Sequence, residues 1–227
     1  MYVAQVDNRE LTFEASGKLW QDALVMEDDQ TGSLWSQITG ECIKGELLGK
    51  KLTLYPSTFS TFEKSKVMGN VSYLKKPEKG GDASRYQKYF EDNNRIGVFG
   101  SVFSDTLLNA KDQIIGLRSG EEQIAVPISS VLWHKPVFLS FAGKSLLIIA
   151  DGIDNFACFE LPKKQFENPK IKTFEGSMVI TDSNSSRRLE FRGITPENGT
   201  ELVTFPAVSA FWFAWKSFFP STSVYPD

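Results

Sequence analysis

Apolar and polar positions alternate along this chain in short bursts, separated by clusters of turn-forming residues. Residues 9–15, 23–27, 34–38, 41–45 and 52–55 read as strands. Ser16-Gly17-Lys18 marks a turn, Asp28-Asp29-Gln30-Thr31-Gly32-Ser33 closes a hairpin, and Gly40, Gly45 and Gly49 punctuate the strands after it. After Pro56, residues 57–66 hold no Gly or Pro and predict a helix with Ser57 or Thr58 as N-cap. Residues 75–84 are a loop by composition, and the polar, aromatic stretch 85–94 predicts one short helix. A second strand series then begins at Gln113, covering 114–117, 123–126, 137–139, 146–150 and 156–160, with Gly120, Gly143 and Gly152 at its turns. Residues 207–218 predict a last helix, ending before Pro220. Helix should account for about a tenth to a fifth of the residues, below the usual third.

One block of this pattern reads as occurring twice, over residues 13–73 and again over 174–225. Both copies open with Phe-Glu (Phe13-Glu14, Phe174-Glu175). Both continue into an apolar strand ending in Asp, Leu24-Val25-Met26-Glu27-Asp28 and Met178-Val179-Ile180-Thr181-Asp182. Both then reach an aromatic-Pro step, Tyr55-Pro56 and Phe205-Pro206, before an aromatic-bearing helical stretch. A duplicated unit builds a pseudo-symmetric body, and sites tend to sit where its halves meet. The expected fold is therefore mainly β: an antiparallel, short-stranded body, sandwich or barrel-like, made of two pseudo-repeated halves with a few short helices. It would form a single domain over 1–227, with an incomplete first unit at 1–74, a connector at 75–112 and a second unit at 113–227.

Composition narrows the function classes. The 227 residues can bury a real core. Hydrophobic residues at 41% and charged residues at 23% are ordinary for a globular chain. A net charge of −3 argues against nucleic acid as the partner. The longest strongly apolar stretch, residues 205–219, is interrupted by Pro206 and Lys216 and is too short for a transmembrane segment. Residues 2–7 carry no export signal, so the chain as written reads as cytoplasmic, or as exported if a segment with a signal precedes it. Asn70, Asn184 and Asn198 head glycosylation triplets, which count as chance matches without such a signal.

Catalytic groups are scarce. Cys42 and Cys158 are the only cysteines, too far apart in sequence for a Cys-x-x-Cys pair, and they read as buried thiols or one disulfide. His134 is the only histidine; no Gly-x-Ser-x-Gly accompanies it, and a zinc site needs more than one imidazole. Nucleotide-binding glycine motifs are absent, and the Asp28–Gly32 stretch lacks the spacing of a calcium loop. The sequence thus calls for no cofactor and no metal. Glu41 and Asp105 are the acidic residues considered for hydrolysis.

Aromatic residues offer the remaining chemistry. Phe211-Trp212-Phe213-Ala214-Trp215 is either a stacking platform for a sugar or flat ligand, or a helix plugging one end of the β body. In an alternating strand Trp35 and Gln37 share a face, so with Glu41 they can grip a polar ligand. Trp35 can equally be a core residue whose ring N–H finds a partner. Arg85 and Tyr86, with Tyr89, would form a lid over such a site, or simply dock their own segment. The candidate ligand-binding residues are therefore Trp35, Gln37, Glu41, Arg85 and Tyr86.

Three stretches support a resemblance. These are Thr31-Gly32-Ser33-Leu34-Trp35-Ser36-Gln37 with Gly40-Glu41 and Gly45-x-Leu47-x-Gly49; Ile115-Gly116-Leu117 through Ala125-Val126-Pro127; and Phe211-Trp212-Phe213-Ala214-Trp215 with Pro220-x-Thr222. Together they resemble the family known as domain of unknown function 3179, over nearly the whole chain. The resemblance carries no activity to transfer. It implies a layout in which a further segment, ending in Cys-Pro-x-Cys-Gly, precedes the position of Met1. On that layout residues 1–7 are the tail of a strand whose partners lie upstream, and the open edge would favour a homodimer. The chain departs from the pattern at Cys42, where a small residue is expected, and at Ser185-Ser186-Arg187-Arg188-Leu189, where the second copy lacks Thr-Gly-Ser-x-Trp.

Three functional readings remain. The first is a non-catalytic module that binds a small polar ligand or assembles with a protein partner. The second is the scaffold part of a redox or metal-handling protein whose Cys-x-x-Cys lies in the upstream segment. The third is a hydrolase using acidic residues alone.

Overall fold

The computed structural model describes residues 1–66, 72, 84–97, 99–101, 103–131, 135–152, 155–162, 169–174, 177–182, 188–197 and 202–226, with backbone only at 84–86 and 174. Strands β1 (Gln5–Val6) and β2 (Arg9–Glu10) form a small hairpin. Strands β3 (Phe13–Trp20), β4 (Ala23–Asp28), β5 (Leu34–Ser36) and β6 (Cys42–Lys44) come next as a four-stranded antiparallel meander. The expected turn at Ser16-Gly17-Lys18 is instead a bulge within β3. The register shifts between Ala15 and Leu19, and Gly17 takes φ +72. The chain reverses later, at Gln21 and Asp22, both with positive φ. The hairpin expected at 28–33 is present: Gly32 N–H donates to the Asp28 carbonyl at 2.9 Å and Asp28 N–H to that of Ser33 at 3.1 Å.

The opening residues pair on one side with residues 53–55. Tyr2 bridges Leu54, Val3 N–H donates to Thr53 and Tyr55 N–H donates to Met1. The helix expected at 57–66 shrinks to α1 (Phe62–Ser65), and the cap is Thr61, whose Oγ1 accepts from Lys64 N–H at 3.3 Å. Helix α2 (Ser84–Glu91) matches the short helix expected at 85–94. His134 lies outside the described residues.

The second strand series builds three stacked sheets. Strands β7 (Gln113–Ser119) and β8 (Glu122–Pro127) pair with each other. Strands β9 (Val137–Phe141), β10 (Lys144–Ala150) and β11 (Phe156–Leu161) form a meander. A third meander comprises β12 (Pro169–Phe174), β13 (Ser177–Asp182), β14 (Arg188–Arg192) and β15 (Thr195–Glu197). Strand β16 (Val203–Thr204) joins the β11 edge, and β17 (Ala207–Phe211) joins the β7 edge. After helix α3 (Trp212–Phe218), β18 (Ser223–Val224) runs parallel to β8, the one parallel pairing among the described strands. The helix expected over 207–218 is thus half strand: residues 207–211 donate to and accept from β7, and only then does the chain coil.

Packing reflects strand alternation. Leu146, Ile148 and Ala150 of β10, with Phe156 and Cys158 of β11, face Ile115, Leu117 and Val126 of the β7–β8 sheet. Leu147 and Ile149, with Ala157, Phe159 and Leu161, face the other way onto Met178, Ile180, Leu189 and Phe191. The central sheet is covered on both faces, which is why Leu146-Leu147-Ile148-Ile149-Ala150 is apolar without a break. Each buried Leu, Ile or Phe side chain among them contributes about 1.5–3 kcal/mol by leaving water. Helix α3 covers the far side of the β7–β8 sheet through Trp212 and Trp215 on Ile114 and Ala125. The layers are therefore sheet, sheet, sheet and helix. Of the sandwich and barrel readings, stacked open sheets are what forms; the described strands close no barrel.

The N-terminal meander keeps its own core of Val6, Leu11, Trp35, Cys42, Leu47 and Leu52. It and the β12–β15 meander share strand order, and each carries a buried Asp at the end of its second strand, Asp28 and Asp182. The two Phe-Glu steps take different places: Phe13 pairs with Asp28, whereas Phe174 pairs with Ser177, the first residue of β13. Among the described residues, Ser101 donates from its hydroxyl to the Asp22 carboxylate, and two further contacts join the N-terminal meander to the rest of the fold. Trp20 meets Phe218 edge-on at 5.1 Å, and Arg118 donates to the Thr39 carbonyl at 2.7 Å. Among the described residues no helix is long and apolar enough to cross a membrane.

Candidate functional site

The segment 92–112, between α2 and β7, carries no strand or helix among its described residues, yet it is tied down at both ends. At one end Lys111 closes α2. Its ammonium donates to the carbonyls of Tyr89 and Asp92, the latter at 2.7 Å, and stands 3.8 Å above the Tyr89 ring. A cation suits the negative end of a helix, and burial pulls the Lys111 pKa down. At the other end the segment caps α3: Trp212 N–H donates to the Asp112 carbonyl at 2.8 Å, and Phe213 N–H to that of Ala110 at 2.9 Å.

Asp105 adds a third tie. Its carboxylate accepts from the Trp212 indole N–H at 3.0 Å and from Leu107 N–H at 3.0 Å, and Lys216 stands 3.5 Å away. Burial opposes the charge on Asp105. The hydrogen bonds from Leu107 and Trp212 and the Lys216 ammonium outweigh it, holding the carboxyl below the usual carboxylate range. A tight turn completes the floor, with Asn109 N–H on the Asp112 carboxylate at 2.9 Å and Asp112 N–H on the Asn109 carbonyl at 2.9 Å.

This framework encloses a groove. One hollow of about 850 Å³ is lined by Asn93, Asn94, Phe103 and the segment 105–112. A second, of about 300 Å³, is lined by Phe90, Asn93, Lys111, Asp112, Gln113, Ile128, Ser129 and Phe211. They share Asn93, Lys111 and Asp112, and so lie side by side, each within the size range of small-ligand sites. A separate hollow of about 320 Å³ lies on the β12–β14 face between Lys172, Val179 and Arg188.

The residues singled out from sequence occupy other places. Trp35 is fully enclosed: its indole N–H donates to Asp28 at 2.8 Å and its ring meets Phe13 edge-on. Gln37 is exposed, and its carbonyl accepts from the Tyr2 hydroxyl at 3.0 Å. Glu41 is half-buried, 3.5 Å from Lys51. The side chains of Arg85 and Tyr86 lie outside the described residues. Asp105, paired with Trp212 and Lys216, and Glu41, paired with Lys51, are held by different elements. Both thiols are buried and pushed up by that burial, Cys158 most of all. The described residues contain no group of three or more His, Cys, Asp or Glu placed to hold a metal.

Sequence reasoning missed Asn93, Asn109, Lys111 and Asp112. A signal was present: a long stretch without a strand or helix of its own inside a compact fold is uncommon outside functional loops.

The motifs behind the family resemblance have a different role, which is to hold the fold. Thr31 N–H and Oγ1 both donate to the Asp28 carboxylate, at 2.6 and 2.8 Å, and the Thr31 and Ser33 hydroxyls meet at 2.6 Å. Ser33 Oγ accepts from Leu47 N–H at 3.3 Å, and Gly45 lies so close that a Cβ there would stand 2.6 Å from it. Burial opposes the Asp28 charge, but the bonds from Trp35, Thr31 and Ser33 keep its carboxyl below the usual range. In the third motif the Trp215 indole N–H donates to Thr222 Oγ1 at 3.0 Å.

The family described as Protein of unknown function (DUF3179) matches residues 1–222. No curated protein and no solved structure matches the chain.

Proposed function

The chain belongs to the DUF3179 family, and we propose that it works there as a non-catalytic binding module whose ligand sits in the groove between α2, the 103–112 segment and the start of α3. The observation that carries this reading is the pair of adjacent hollows that share Asn93, Lys111 and Asp112. The floor is stapled to α2 by Lys111 and to α3 by the Ala110 and Asp112 carbonyls, so the site is formed before a ligand arrives. Preformed grooves lose little conformational freedom on binding.

The hydrolase reading is less well supported. Asp105 is committed to Trp212, Leu107 and Lys216 and is held ionised, which suits a strut better than a general acid. The redox reading places its Cys-x-x-Cys outside residues 1–227, and the buried Cys42 and Cys158 are the unreactive thiols it expects within them, so they do not decide between the readings.

A fragment screen read by amide chemical shifts tests the proposal. Ligands should move the backbone amides of Asn93, Asn109, Lys111 and Asp112 together. Hits scattered over the β12–β15 face or the N-terminal meander, with those four amides still, would count against it.

A further inference from the structure

Taking the groove as the binding site, we infer that its ligand is a neutral, hydroxyl-rich molecule of the saccharide class. Charge makes the first cut. Lys111 is the sole cation among the described lining residues, and two of its three N–H groups are given to the carbonyls of Tyr89 and Asp92. That single ammonium faces two carboxylates in the same lining, Asp105 and Asp112, which would repel a phosphate or carboxylate. Anionic ligands are thereby disfavoured.

The lining also matches hydroxyl groups. Asn93, Asn94 and Asn109 supply side-chain amides that donate and accept at once, as vicinal hydroxyls require. The Asp112 carboxylate has lone pairs left beyond the two groups of Asn109 it receives, and it opens on both hollows. Apolar faces complete the set. Phe90 is 57% exposed and tilts against Phe211 at 6.0 Å, so the two rings make a ledge along the smaller hollow. A sugar presents C–H patches on its ring face and hydroxyls on its rim, and a ledge of rings beside a floor of amides accepts both. The larger hollow alone, about 850 Å³, suits several sugar units better than one.

The test titrates the full chain, labelled with nitrogen-15, against millimolar cellohexaose, maltohexaose, chitohexaose and mannohexaose, with spermidine and inorganic phosphate as separate arms. At least one hexasaccharide should move the amides of Asn93, Asn109 and Asp112. Phe90→Ala, at an exposed position, should keep the dispersed spectrum and weaken that binding about tenfold. Asn94→Ala, an exposed change on the polar side, should weaken it too and guards against a folding defect in the first variant. If no hexasaccharide moves the groove amides, the saccharide inference is overturned. If spermidine or phosphate alone moves them, the inference falls while the groove still stands as a binding site. If the fragment screen is blank there as well, both fall.

Discussion

Gly116→Ala examines the packing of α3 on its sheet through a single methyl group. Gly116 lies in β7 opposite Ala125 and faces the helix. A Cβ built there would stand 2.5 Å from Trp215 Cη2 and 2.6 Å from Cε3, where ordinary contact begins near 3.4 Å. The ring must therefore retreat by close to 1 Å. It is fully buried, packs against Phe219 at 4.4 Å, and is anchored by the bond from its N–H to Thr222. Overpacking of this kind costs about 1–3 kcal/mol, and stretching the Thr222 bond adds up to about 1 kcal/mol. Replacing a strand glycine returns about 0.5–1 kcal/mol through the unfolded state. The clash wins, leaving a net loss of about 1–3 kcal/mol, or roughly 3–10 °C in Tm for a chain of this size. Urea unfolding followed by tryptophan fluorescence measures it. Trp215→Phe withdraws the atoms that clash, so Gly116→Ala should cost far less in that background. Equal costs in the two backgrounds, or a neutral Gly116→Ala, would refute the claim that Trp215 occupies the missing Cβ.

Other outcomes rest on the same contacts. Trp212→Ala should lose about 3–5 kcal/mol, because the ring is fully enclosed and its N–H is spent on Asp105; a loss below about 1 kcal/mol would mean the ring is dispensable to the core. Asp28 and Asp105 have folded pKa values below the unfolded value of about 4, so the stability they add is complete above that pH and is lost as pH falls through the folded values. Urea midpoints should fall below about pH 4, and Asp28→Asn should flatten that limb while lowering the neutral-pH midpoint; an unchanged acid limb would remove Asp28 from the account. Cys42 and Cys158 should resist a thiol-specific dye in the folded protein and react on unfolding, since burial raises both thiols; fast labelling of either under native conditions contradicts their placement.

The mainly β class was legible because short alternating runs bounded by Gly and Asp leave little else to form, and β4, β7, β8, β10, β11 and β13 fall close to where the pattern puts them. Helix boundaries were less legible. Residues 207–211 are apolar and aromatic at spacings a helix also allows, and pairing with β7 decided for strand. At residues 16–18, Gly17 fits a turn or a bulge equally, and the partner strand chose the bulge. Trp35 with Gln37 and Glu41 looked like a gripping surface because alternation reports which side a residue faces and not what covers that side. Asp28, seven residues away, turned the indole into a core contact.

Local pattern alone therefore determined strand content, the hairpin at 28–33 and the continuous apolar run that marks a doubly covered strand. Hydrophobic periodicity is a property of neighbours in the chain, so it survives without tertiary information. The groove is a property of residues distant in sequence: Phe90, Lys111, Ser129 and Phe211 meet only because β17 pairs with β7 and Lys111 seals α2. Packing energy, summed over three sheets and a helix, sets that meeting, and no local window of sequence contains it.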